Sequence, residues 1–201
     1  MVVKTEFDLL MRLVRDYFSH GYYRYQIVSF PVDKDFEEVK ERLEKEFNFT
    51  NCRTTRMRRR ALGFASGVIL YYKNNFYILV TEGKNIKVES ENFLDIRETT
   101  LRINKYVIKL NPYKNSYKAT VYLEPSYQGS VKRIMKTIAV QKKDKVIKRF
   151  RKITPYTFDG INKQMRGILE VVNRKRKKAG VPRIQIEEII ALRDFNKGLI
   201  F

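Results

Sequence analysis

A single cysteine (Cys52), a single histidine (His20) and no tryptophan occur in the 201 residues. One thiol forms no internal disulfide, and one thiol with one imidazole cannot assemble the clustered shell of a structural zinc site, so zinc-finger chemistry is excluded. An acid/base ribonuclease mechanism that needs two histidines is excluded on the same count. No apolar run approaches the roughly 18 residues of a membrane-spanning helix. The first twenty residues mix Asp8 and Asp16 with Arg12 and Arg15 instead of forming the apolar stretch of a secretory signal. The expected location is the cytoplasm. No phosphate loop of the form GxxxxGK[ST], no linker rich in Gly, Ser or Pro and no internal repeat is present, so one domain with no cofactor is expected.

Acid is also scarce: 22 Asp and Glu stand against 42 Lys and Arg, a formal charge of +20, while the 43% apolar content is enough for a packed core. The excess is local. Residues 53–60 hold five arginines and no acid, 132–152 hold ten bases and one acid, and 174–183 hold six bases and no acid. These net charges of +5, +9 and +6 together account for the whole excess. The remainder is neutral, and 33–47 is net acidic, with seven acids against four bases. Segregated positive charge is the footprint of a polyanionic partner, and nucleic acid is the expected one. A membrane surface is not expected, because the basic segments lack the Trp/Phe/Leu face of an interfacial helix. The three segments are expected to converge on one surface. A basic protein of this kind suits a plasmid, virus or transposon.

Hydrophobic spacing predicts a mixed chain. Phe7, Leu10, Val14 and Phe18 make an amphipathic helix over 5–19, capped by Thr5 and stopped at Gly21. Residues 22–32 read as a strand, and Asp35 with Glu38 opens a helix to about residue 47. Two hairpins follow. The first joins 64–72 to 76–81 around Lys73, Asn74 and Asn75, and the second joins 105–111 to 117–123 around Asn111 and Pro112, with one buried and one wet face. Val131, Ile134, Met135 and Ile138 mark a helix, 140–152 reads as either helix or strand, and a long helix is expected at 155–179 with Thr154 as N-cap and Pro155 at its first position. A short strand at 183–186 and a closing helix complete the chain. The fold class is α+β, an antiparallel sheet of ferredoxin-like or split βαβ type followed by a basic helical region, with a subdivision near residue 125 separating 1–125 from 126–201.

The candidate phosphate contacts are Arg53, Arg56, Arg58, Arg59 and Arg60, expected on a loop joined to a sheet edge. To these the second segment adds Lys142, Lys143, Lys145, Lys148, Arg149, Arg151 and Lys152, and the third adds Arg174, Lys175, Arg176, Lys177 and Lys178. Tyr71, Tyr72 and Tyr77 are candidate stacking platforms. The alternative reading is an enzyme. Glu82-Gly83-Lys84 at a strand end resembles the second half of the PD-(D/E)xK nuclease core, which implies Glu82 as a Mg²⁺ or Mn²⁺ ligand and Lys84 beside the attacking water. Tyr106-x-x-Lys109 resembles the nucleophilic element of rolling-circle initiators and IS200-like transposases, whose metal is held by a histidine pair that this chain lacks. His20 fits a helix end, and Cys52 sits beside Arg53, where its thiol is expected to be activated.

Overall fold

The computed structural model describes residues 1–30, 35–47, 49, 52–84 and 92–189. The chain forms two compact units: Met1–Leu101 with Ile108–Ala119, and Arg102–Val107 with Thr120–Phe201. The division thus falls at two places, and the segment 102–107 joins the C-terminal helices.

In the first unit, α1 (Glu6–Met11) is capped by Thr5, whose side chain accepts the Asp8 N–H. The expected helix over 5–19 then departs from α geometry. Arg12–Tyr17 widens into a π-helix, Phe18–His20 tightens into a 3₁₀ turn, and Gly21 stops the run in the left-handed region at φ 88°. A four-stranded antiparallel sheet follows in the order β2-β3-β1-β4, from β1 (Arg24–Ser29), β2 (Gly67–Tyr72), β3 (Asn75–Val80) and β4 (Leu94–Asp95). Because β1 and β2 both run antiparallel to the β3 between them, the crossover from β1 to β2 is a split βαβ. The second crossover that the expected ferredoxin-like arrangement requires would fall between β3 and β4, where 85–91 lie outside the described residues, so the structure shows the α+β class and the split βαβ alone. The crossover carries α2 (Phe36–Phe47) and α3 (Arg53–Ala61). Asp35 accepts the Glu38 N–H as expected, and Val39, Leu43 and Phe47 pack on Ile69, Phe76, Ile78 and Val80. Phe18, edge-on to Tyr25 at 6.2 Å, covers the opposite face. Both faces are therefore buried at β2 and β3, which explains their near-continuous apolar run, while Ile27 of β1 stays exposed. In their turn Lys73, not an asparagine, takes positive φ.

The second sheet, in the order β5-β6-β7, is formed by β5 (Leu101–Ile103), β6 (Tyr106–Tyr113) and β7 (Ser116–Leu123). Two expectations change here. The turn lies at Lys114 and Asn115, so β6 runs through Asn111 and Pro112. Pro112 is tolerated because β5 is three residues long and flanks only the start of β6, leaving the far end with one neighbour. Burial also runs lengthwise: Tyr106, Val107, Ile108, Val121 and Leu123 are buried at the base, while Tyr113 and Tyr117 are exposed near the tip. The hairpin has a wet end, not a wet side.

The second unit holds the three C-terminal helices. Helix α4 (Pro125–Ile138) begins at Glu124, which accepts the Ser126 and Tyr127 N–H groups, so Pro125 starts a helix where the sequence suggested a division. The ambiguous 140–152 stretch is helical as α5 (Lys143–Arg151). Helix α6 (Asp159–Lys178) starts later than expected, with Phe158 at its N-cap. Thr154 is fully buried, its hydroxyl shared with Tyr106 OH (2.9 Å) and accepting the Tyr156 N–H, so the expected cap is occupied elsewhere. Residues 183–186 form no strand. The expected closing helix is described only at 187–189, which are helical, and the rest of it falls in 190–201, outside the described residues. Among the described residues no helix is long and apolar enough to cross a membrane.

Candidate functional site

The arginine-rich segment is a helix, not a loop. Its residues RTTRMRRRA contain no glycine or proline, and arginine is among the better helix formers. Gly63 at φ 77° ends it, with the Phe64 N–H returning to the Arg59 carbonyl and the Gly63 N–H to Arg60. Helical spacing sorts the five arginines. Arg53, Arg56 and Arg60, with Met57, recur at i, i+3, i+4 and i+7 and form one wall of a cleft of about 790 Å³. The other wall is the π/3₁₀ end of the first helix and its turn, Asp16, Tyr17 and Ser19 through Tyr23. Asp16 is the one carboxylate in that lining among the described residues. Arg59 turns back on its own chain, its Nε donating to the Ala65 carbonyl at 3.5 Å and its guanidinium 6.0 Å from the Phe64 ring. Arg58 is exposed and does not line the cleft.

The cleft depends on the irregular helix end. A π turn is rare and recurs at functional sites. Here it delivers Tyr17 and Tyr22 as an edge-on pair 5.2 Å apart, with Arg60 over the Tyr22 ring at 6.0 Å. A Cβ on Gly21 would stand 3.3 Å from Arg60 Nη2, so glycine serves both the left-handed turn and the close approach of α3. Burial raises the Tyr17 hydroxyl pKa, against the pull of the Arg56 and Arg12 charges. His20, exposed at the helix end, joins the same lining. Cys52 precedes α3, and hydrogen bonds from the Thr55 N–H, the Thr55 hydroxyl and then the Thr54 N–H bring its pKa down to about 7. The helix start, not Arg53, activates the thiol.

Helix α3 is held against its own charge. No residue in it is buried, no acid occupies its first turn, and Arg53–Arg56, Arg56–Arg59 and Arg56–Arg60 are like-charge neighbours. Three such pairs together cost about 1 kcal/mol, which a bound anion would relieve.

In the second unit, Arg176 changes role. It is 2% exposed, and its guanidinium donates to the carbonyls of Pro182 (2.5 Å), Ala139 (2.7 Å) and Gln141 (2.9 Å). It is a structural bridge and leaves the set of phosphate contacts. Lys143 pairs with Glu188 at 2.6 Å. The bridge joins the second and third basic segments within one unit, and Lys142, Lys145, Lys148, Arg149, Arg151, Lys152, Arg174, Lys175, Lys177 and Lys178 are exposed there. The first segment belongs to the other unit.

The enzyme candidates fare differently. Glu82 is ion-paired with Arg97 at 2.7 Å, and the same guanidinium holds Asp95 at 2.6 Å and lies 4.7 Å over the Tyr23 ring. Burial pushes the Asp95 carboxyl up, but the hydrogen bonds and charge of Arg97 outweigh it and the pKa is lowered. Two carboxylates thus converge on a cation supplied by the chain itself. Lys84 is exposed and bridges by its backbone to Phe64, while Gly83, at φ 132°, crosses close over Gly63–Ala65. Tyr106 is fully buried and bonded to Thr154, so it presents no nucleophile. Tyr72 and Tyr77 are buried and Tyr71 packs 4.5 Å from Phe36, so none of the three is a stacking platform. Tyrosines 17, 22 and 23, which sequence reasoning passed over, line the cleft, but Tyr17 and Tyr22 are as buried as Tyr72 and Tyr77 and wall it without offering a free ring. Their only signal was nearness to Gly21. No protein-family model, curated protein or solved structure matches this chain.

Proposed function

We propose that the protein binds nucleic acid by its phosphate backbone, through the cleft between α3 and the 16–23 turn and through the basic helices of its second unit. The observation that supports this most directly is the placing of Arg53, Arg56 and Arg60 on one wall of a concave site with a single acid in its lining among the described residues. Guanidinium forks match phosphate oxygens bidentately, and Met57, 62% exposed in the same wall, offers apolar contact to a sugar or base. The volume lies within the roughly 300–1,000 Å³ of small-ligand sites, enough to admit a nucleotide with its phosphate but not a whole duplex.

The test is equilibrium binding of labelled DNA and RNA oligonucleotides over a salt series, on protein purified without nuclease so that any nucleic acid bound in the cell is identified as well. Counterion release demands that affinity fall steeply with salt. A flat salt response, or no retained nucleic acid and no binding, overturns the reading.

A further inference from the structure

We propose that α4, the turn Ala139–Lys142 and α5 form a helix-turn-helix whose second helix enters the major groove of duplex DNA. The inference rests on the nucleic-acid reading above and narrows it to one ligand class.

The turn has the short length that this motif uses. It is fixed rather than free. The Gln141 N–H returns to the Ile138 carbonyl at 3.0 Å, and the Lys142 carbonyl accepts Lys145 N–H at 3.0 Å. Arg176 reaches in from α6 and holds the Ala139 and Gln141 carbonyls with one nitrogen. Burying a guanidinium is costly, and its place here sets the course of α5 relative to α4 and α6.

The faces of α5 are cleanly divided. Val146, Ile147 and Phe150 are buried. Lys145, Lys148, Arg149 and Lys152, at i, i+3, i+4 and i+7, are exposed and form one stripe on the opposite side. Asp144 sits in the first turn, where the helix dipole favours an acid. On α4, Lys132, Arg133 and Lys136 are exposed, and the first helix of such a motif crosses the phosphate backbone.

Dimensions choose the occupant. A helix with its side chains is about 10–12 Å across, and the B-DNA major groove is about 12 Å wide. The major groove of A-form RNA is too narrow and deep for side chains to read, and a single strand has no groove. Duplex DNA is the nucleic acid that α5 fits, with Arg149 and Lys148 at guanine O6 and N7 as the contacts that arginine and lysine favour.

The experiment compares three labelled ligands of one sequence, a duplex DNA of about two helical turns, the same duplex as RNA, and one DNA strand, on the full chain and on K148A/R149A. The variant, whose two side chains are exposed, is checked by far-UV circular dichroism. The expected result is tightest binding to duplex DNA and protection of guanine N7 from dimethyl sulfate. The variant should lose that protection and roughly tenfold or more of its duplex-DNA affinity, with single-strand affinity reduced much less. Equal affinity for duplex RNA, unprotected N7, or a variant that binds duplex DNA as the parent does overturns the helix-turn-helix while leaving the cleft reading intact. Failure of the parent to bind any of the three overturns both.

Discussion

Replacing Arg53, Arg56 and Arg60 together by glutamine removes the cationic wall of the cleft while keeping a good helix former at each position. If each guanidinium neutralises one phosphate of a single strand drawn along the cleft, the slope of log affinity against log salt should become shallower by about 2 on that strand, with little change on duplex DNA, which the cleft does not admit. Between about 50 and 200 mM salt, that difference makes the parent's single-strand affinity fall about 20-fold further than the variant's. Fluorescence anisotropy of a labelled oligonucleotide across the salt series measures both slopes. Stability provides a second readout. The variant loses the like-charge pairs of α3 together with the Arg60–Tyr22 contact, effects of similar size and opposite sign, so without ligand it should unfold close to the parent's temperature. Arginines retained to hold the fold together would give a marked loss. Unchanged slopes, or a variant markedly less stable than the parent, refute the assignment.

Alkylation of Cys52 by iodoacetamide should titrate with a midpoint near 7, about half the thiol being ionised at that pH, and bound oligonucleotide should slow it because the next residue lines the cleft. A midpoint near the ordinary thiol value would contradict the role given to the start of α3. Gly21→Ala forces a side chain into the left-handed region beside Arg60 and should cost about 1–2 kcal/mol in urea unfolding, together with some affinity. Unchanged stability would show that the turn adapts. Arg176→Met leaves three carbonyls without their donor and should destabilise the second unit by about 3 kcal/mol or more. Glutamine at Arg174, Lys175, Lys177 and Lys178 should instead weaken binding at unchanged stability, and a melting temperature that dropped equally in both variants would remove the distinction.

Periodicity made the regular elements legible. The stripe of α2 and its Asp35 cap, the stop at Gly21 and the end of α6 before Gly180 rest on signals confined to a few neighbouring residues. What was illegible depended on partners distant in sequence. Thr154 followed by Pro155 reads as a helix start, but its hydroxyl is taken by Tyr106, 48 residues away, so α6 begins at Asp159. Pro112 reads as a turn, but the shortness of β5 frees its edge. Five arginines in eight residues read as a loop when only charge is weighed, although the same residues, read for propensity, favour the helix that formed.

Charge counting located the candidate site only to within a segment, because a count is blind to direction. Once 53–60 is helical, spacing alone separates Arg53, Arg56 and Arg60, which share a face and line the cleft, from Arg58 and Arg59, which do not. The run 174–178 shows the same blindness from the other side. Five consecutive bases cover every side of a helix, so one of them must face inward, and Arg176 does, its guanidinium bound by three carbonyls from two places in the chain. Its neighbours are thereby turned outward. The buried arginine and the exposed stripe of α5 are two consequences of one packing arrangement, and the charge that sequence reasoning counted as a single class divides into a part that builds the surface and a part left to meet a phosphate.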